Sequence, residues 1–133
     1  MESLYPEHII DHGMNPRNRG LLVPADAVSE GNFPLCGDTL LLTLRLDEHR
    51  RIAAVGWGGD GCAISQASAS MLGEAILGKT VEEVRVISKE HIFEWLGIPL
   101  SQNRVKCALL SLQVLTDALF GQDAAHRLML DDD

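Results

Sequence analysis

Apolar residues alternate with a period of two along "TLLLTLRL", residues 39–46, so Leu40, Leu42, Leu44 and Leu46 share one face. Asp47 to Arg50 are polar and form a turn. Ala53, Val55 and Trp57 then continue an apolar face on a returning strand, and the stretch reads as a β-hairpin. An earlier strand falls near Ala27–Gly31. After Cys62 the period changes. From Ala63 to Leu77, Ile64, Ala67, Met71 and Ala75, with Leu72 and Ile76 one turn round, line one side of a helix that Gly78 stops. Thr80 and Glu83 fit a capping box that opens a short helix to about Ile87. Ser88 opens another, which ends at Gly97 before Pro99. The last helix is predicted from Arg104 to Phe120, with Val105, Ala108, Leu109, Leu112, Leu115 and Leu119 inward and Gly121 at its end. At the other end of the chain, Pro6 suits the first turn of a short helix and Gly13 its close, and Asn15-Pro16 forces a turn.

Strands come first and helices follow. The expected class is α+β, a small three-stranded antiparallel sheet covered by about five helices. The 133 residues suit one domain spanning the whole chain, with residues 122–133 an acidic tail expected to fray, its "DDD" end above all.

Composition narrows the function classes. The hydrophobic content of 46% and a mean hydropathy of +0.06 are globular values. A formal net charge of −8 disfavours nucleic acid, whose phosphates reward clustered Lys and Arg. No apolar run reaches the roughly 18 residues of a membrane span. The opening "MESLYPEHII" lacks the basic and then apolar order of a signal peptide, so a cytoplasmic location, where thiols stay reduced, is the expectation. The three cysteines cannot all pair within the chain. Free thiols, metal ligands or reactive thiols remain.

Each cysteine lies at an element boundary. Cys36 sits in the loop "PLCGDT" ahead of the hairpin, where Gly37 lets the Asp38 carboxylate turn back toward the thiol. Cys62, in "GGDGCAIS", opens the long helix. The free N–H groups and dipole there favour a thiolate, and the glycines at 58, 59 and 61 leave the sulfur uncovered. Cys107, in "RVKCALL", falls in the first turn of the last helix beside Lys106, a second source of positive charge. The separations are 26 and 45 residues, unlike the short knuckles of zinc fingers, so a shared site must be assembled by the fold. Two readings stand at this point. One is three unrelated buried cysteines. The other is a single site of Cys36, Asp38, Cys62 and Cys107, three sulfurs and one oxygen, suited to tetrahedral zinc or one side of an iron–sulfur cluster. Three thiolates and a carboxylate carry four negative charges, and a doubly positive centre leaves two for Lys106 to offset in part. An aspartate oxygen is a harder, weaker partner for a soft metal than a fourth thiolate, and a weak ligand lets a site release its contents.

In this order, "IIDHGMNPRNRG" (9–20), "PLCGDTL" (34–40), "GWGGDGCAISQASASML" (56–72) and "VKCALLSLQVL" (105–115) resemble the iron–sulfur cluster assembly proteins of the IscU/NifU N-terminal type, the SufU branch most closely. The likeness covers about residues 5–120. It implies a small antiparallel sheet with helices packed on it, and Cys36, Asp38, Cys62 and Cys107 as the site. In IscU-like members such a site takes sulfur from a cysteine desulfurase, collects iron and builds a transient [2Fe–2S] cluster for apo client or carrier proteins. In SufU-like members it holds zinc, and one cysteine accepts persulfide sulfur from its SufS-type desulfurase. The resemblance makes Cys36 and Cys107 the candidate persulfide acceptors. The chain departs from both branches. Lys106 stands where IscU proteins carry His, as in SufU, whereas "WLGIPLSQNRVKC" lacks the insertion typical of SufU. The chaperone-recognition sequence L-P-P-V-K is absent, with "IPLSQNRVK" in its place.

Other residues read as structural. His49 and His126 fall in polar, solvated stretches, and His8, His12 and His91 are more ordinary as packing residues than as ligands. Asp60 is expected to cap a helix. Trp57 and Trp95 are expected in the core or on a partner surface. The run "SQASAS" lacks a nucleophile elbow and suits a packed helix. A structural zinc domain and a cysteine hydrolase are the competing functions, and no base beside a cysteine supports the second.

Overall fold

The computed structural model describes residues 5–33 and 37–130, with side chains described to 128. Three strands, β1 (Ala27–Phe33), β2 (Asp38–Leu46) and β3 (Ile52–Gly58), form one antiparallel sheet in the order β1-β2-β3. Among the described residues six helices accompany it: α1 (Glu7–Met14), α2 (Ala63–Ile76), α3 (Val81–Arg85), α4 (Lys89–Leu96), α5 (Gln102–Phe120) and α6 (Gln122–Leu130). The α+β class is as expected, with one more helix.

The alternation in β2 does what it predicts. Leu40, Leu42 and Leu44 are buried, and Leu42 faces Trp57 and Leu44 faces Val55 across the ladder. The expectation for Ala53 fails. The register shifts between Arg45 and Leu46, so that Arg45 faces Ala54 and Leu46 faces Ile52. Ala53 is the extra residue of this bulge; it points to solvent, and Ile52 takes the core position instead.

Helix α2 is buried on nearly every side from Ala67 to Gly73, because it lies between α1 and α5. Its small residues permit that. Ser68 donates to the Ala108 carbonyl at 2.6 Å and meets Ser111 Oγ at 3.0 Å. Ser70 Oγ accepts from the Arg17 N–H at 2.8 Å and lies 2.7 Å from His12 Nδ1. The serines of "SQASAS" are thus spent on helix packing. Trp57 is buried and donates its indole N–H to the Arg17 carbonyl at 2.8 Å, which ties the "NPRN" turn to the sheet.

The capping box at Thr80 and Glu83 forms as expected. At Ser88 the partner is His91, whose Nδ1 accepts from the Ser88 N–H at 3.0 Å. Helix α5 begins at Gln102, two residues ahead of the expected start, because Ser101 caps it by accepting from the Arg104 N–H at 3.3 Å. Cys107 therefore lies in the second turn, not the first. Helix α6 occupies most of the segment expected as a frayed tail. Ala125 is buried there and Leu128 packs on the core, and burial at that spacing holds one face of a helix. Residues 131–133 lie outside the described residues.

Candidate functional site

The site lies where three segments end. Gly37 adopts φ +72°, a left-handed conformation that glycine takes without strain, and turns the chain into β2 at its first residue, Asp38. Asp38 is only 1% exposed, rare for a carboxylate. Its Oδ1 accepts from the Cys62 N–H at 3.0 Å, and its Oδ2 stands 3.8 Å from Cys62 Sγ. Cys62 is the N-cap residue of α2, a place where Ser, Thr, Asp or Asn ordinarily supplies an oxygen to the helix start. The cysteine makes no such bond. Asp38 brings a carboxylate oxygen from β2 to the Cys62 N–H instead, and sets its negative charge at the positive end of the helix dipole. Cys107 reaches the same point from α5, fully buried, because α5 packs along α2.

Among the described residues, Asp38, Cys62 and Cys107 offer one ligand atom each, all within 4.8 Å of one another. Ligand bonds of about 2.3 Å to sulfur and about 2.1 Å to oxygen in a tetrahedron put sulfur and oxygen roughly 3.6 Å apart. The observed 3.8 Å between Cys62 Sγ and Asp38 Oδ2 is close to that. The donor set fits a zinc ion or the iron of a cluster. Cys36 falls outside the described residues.

The glycines around Cys62 have a different purpose from the one read in the sequence. A Cβ on Gly61 would stand 3.0 Å from Asp38 Oδ1 and collide with Ser65 Oγ. Gly59 has φ +126°, and a Cβ there would run into the Thr39 carbonyl. The loop is glycine-rich so that its backbone can lie against β2 and the carboxylate. Asp60 caps nothing. Its carbonyl accepts from the Thr39 N–H at 2.7 Å, and its side chain is outside the cluster.

The cation at the site is Arg104, which the sequence reading passed over for Lys106. Lys106 is exposed, with its ammonium over the Phe33 ring at 5.8 Å. Arg104 stands three residues before Cys107, close to one turn back on the same face of α5, and bonds the Cys62 sulfur. That sulfur's negative charge holds the guanidinium above its usual range; burial opposes this, and Tyr5 adds to the upward shift. The i to i+3 spacing of Arg104 and Cys107 on a helix was the available signal.

The histidines are elsewhere. His8 Nε2 lies 3.0 Å from the Trp95 and Leu96 carbonyls, joining α1 to α4. His49 and His126 are exposed. Trp95 is partly buried against the core.

The NifU-like N terminal domain family model matches residues 4–126. The chain belongs to this family. It is 36% identical to the zinc-dependent sulfurtransferase SufU of Bacillus subtilis, covering 95% of this chain and 96% of that protein. It is 35% identical to the iron-sulfur cluster assembly scaffold protein IscU of Aquifex aeolicus, covering 86% of this chain and 73% of the other. Among solved structures, FiSufU of Fervidobacterium islandicum AW-1 superposes with a TM-score of 0.71 at 32% identity, over 86% of this chain and 96% of that one. A NifU-like N-terminal protein from Brucella abortus shares the fold, with a TM-score of 0.69 at 20% identity, over 89% of this chain and 93% of that one. No helix among the described residues is long and apolar enough to cross a membrane.

Proposed function

We propose that this protein is a cytoplasmic iron–sulfur cluster assembly protein. It accepts persulfide sulfur from a cysteine desulfurase of the SufS or IscS type at a site of Cys36, Asp38, Cys62 and Cys107. It then supports assembly of a [2Fe–2S] cluster and its transfer to apo client or carrier proteins. The observation that carries the reading is the convergence of Asp38, Cys62 and Cys107 from β2, α2 and α5 within 4.8 Å. Residues 24 and 45 apart in sequence meet there with two sulfurs and a buried carboxylate.

Sulfur acceptance needs a thiolate that can reach the sulfane sulfur of the desulfurase persulfide. The thiolate attacks that sulfur, a new S–S bond forms on this chain, and the desulfurase cysteine leaves as its thiolate. No external oxidant or reductant is consumed. Of the two candidate acceptors, Cys107 has no exposed surface, which favours Cys36. Arg104 beside the Cys62 sulfur stabilises negative charge as sulfur and iron load.

A second reading is a zinc-dependent, SufU-type sulfur acceptor that does not itself hold a cluster. The likeness to the Bacillus subtilis protein over nearly the whole of both chains favours it. Zinc, when bound, supplies stabilisation of the thiolates, and Asp38 is the ligand that yields most readily.

The deciding experiment is native mass spectrometry of oxygen-free protein before and after incubation with a cysteine desulfurase, cysteine and ferrous iron. A mass increment of two irons and two sulfides supports the scaffold. One zinc throughout, with one added sulfur that Cys36→Ser abolishes, supports the SufU-type reading. Zinc with no added sulfur refutes both and leaves a structural zinc domain.

A further inference from the structure

A groove far from the cysteines is built for a different ligand. It lies between α3, α5 and α6 and has a volume of about 280 Å³. Buried Val84, Leu112 and Leu115 give it an apolar floor, and Phe120 and Leu128 also line it. Arg85 lines it from α3 and Arg127 from α6, and both side chains are exposed.

The charge pattern of the chain makes these arginines unusual. The sequence holds eight arginines and an excess of acids, 19 against 11 basic residues. Arg17, Arg50 and Arg51 pair with carboxylates. Arg19 and Arg45 donate to carbonyls, and Arg104 bonds Cys62. Among the described residues, Arg85 and Arg127 alone have no carboxylate, carbonyl or thiol partner, and both line this groove. Arg85 lies 4.5 Å over the Phe120 ring, which fixes its guanidinium at the rim while leaving its N–H groups open. Two cations above an apolar floor select an anionic head on an apolar body.

Size decides which class. At about 30 Å³ per water-sized atom the groove takes roughly nine non-hydrogen atoms. It suits a short alkyl chain, and a guanidinium fork matches a carboxylate. We propose that the groove between α3, α5 and α6 binds a medium-chain alkyl carboxylate, its tail on Leu112 and Leu115 and its head between Arg85 and Arg127. Cys107 and Thr116 lie nine residues apart on α5, about 13 Å along its axis, so an occupant leaves the cysteine site open.

The test is calorimetric titration of the full chain with octanoate, repeated with acetate and with octyltrimethylammonium. The expected result is saturable one-to-one binding of octanoate alone. Arg85→Gln with Arg127→Gln weakens it by about tenfold or more. Ala124→Phe, which fills the groove from α6 and removes no core atom, abolishes it. Absence of saturable octanoate binding overturns the proposal, as does equal binding of the cationic amphiphile or no change in the double variant. Octanoate binding that appears only when Asp131, Asp132 and Asp133 are all changed to Asn also overturns it, because the groove then belongs to the chain's own acidic segment.

Discussion

Replacing Asp38 separates two tasks that one carboxylate performs. In metal-free protein its Oδ1 is the acceptor for the Cys62 N–H at the start of α2, at 3.0 Å. Asp38→Ala leaves that donor without its partner, in a place where Asp38 itself has 1% exposure and water has little access. An unpaired buried donor costs about 1–3 kcal/mol. With a urea slope of about 1–3 kcal/mol per molar, a loss of about 2 kcal/mol lowers the midpoint by roughly 1 M. Asp38→Asn keeps an oxygen at the same position and removes a buried charge, so metal-free Asn protein unfolds close to the parent. Zinc reverses the ranking of the Asn variant. An amide oxygen is a poor zinc ligand, so both variants gain less from zinc than the parent does. The assay is urea unfolding by circular dichroism, with chelator and with excess zinc. If the Asn and Ala variants fall equally without metal, the hydrogen bond is not what Asp38 contributes, and the account of the α2 start is wrong.

Gly61→Ala places a Cβ 3.0 Å from Asp38 Oδ1 and against Ser65 Oγ, so it should cost about 1–3 kcal/mol of metal-free stability and weaken zinc binding in a competition titration. Burial, followed by the charge of Arg17, pushes His12 below its ordinary value of 6.5, against the upward pull of Glu74 and Asp11. The unfolded chain then binds the proton more readily than the folded one. His12's contribution is fully present above pH 6.5 and is lost as pH falls from there through the folded value. The urea midpoint should therefore drop on acidification below 6.5, and less so in His12→Asn.

Period-two alternation from 39 to 46 and the helical pattern from 63 to 77 placed β2 and α2 within a residue or two, because each buries one continuous face. The signals that failed were those set by tertiary contact. Ala53 reads as a core position until the bulge at Arg45 and Leu46 advances the register by one residue. Helix α6 follows α5 across Gly121 alone, and it is held by burial of Ala125 and packing of Leu128, contacts that the acidic end of the chain drew no expectation of. The early start of α5 follows from Ser101, whose hydroxyl accepts from the Arg104 N–H and caps the helix. That two-residue error moved Cys107 out of the first turn, where the helix dipole acts most strongly, and it hid Arg104. Separations of 24 and 45 residues carry no local information, so the grouping of Asp38, Cys62 and Cys107 was one of two readings of the sequence until the order of the flanking motifs favoured it.

The burial of the site argues for a direction of entry. Asp38 and Cys107 present almost no surface, while Cys62 is half-buried at the α2 start and Cys36 precedes the Gly37 turn. On the proposed function, cargo arrives from the side of the Gly37–Asp38 turn and the 59–62 loop, with Asp38 and Cys107 as the back wall. Those two loops are tied at Thr39 and Asp60, whose backbones bond at 2.7 Å, and by the Asp38 bond to Cys62. A carboxylate that both closes this tie and offers the weakest ligand couples loading to local structure. When Asp38 turns its oxygen toward a metal, the Cys62 N–H keeps its bond through the other oxygen, so cargo can come and go without unravelling the start of α2. An alanine cannot do this, and an asparagine can do only half. The two Asp38 variants therefore test the reason an aspartate, and not a fourth cysteine, stands in the back wall of this site.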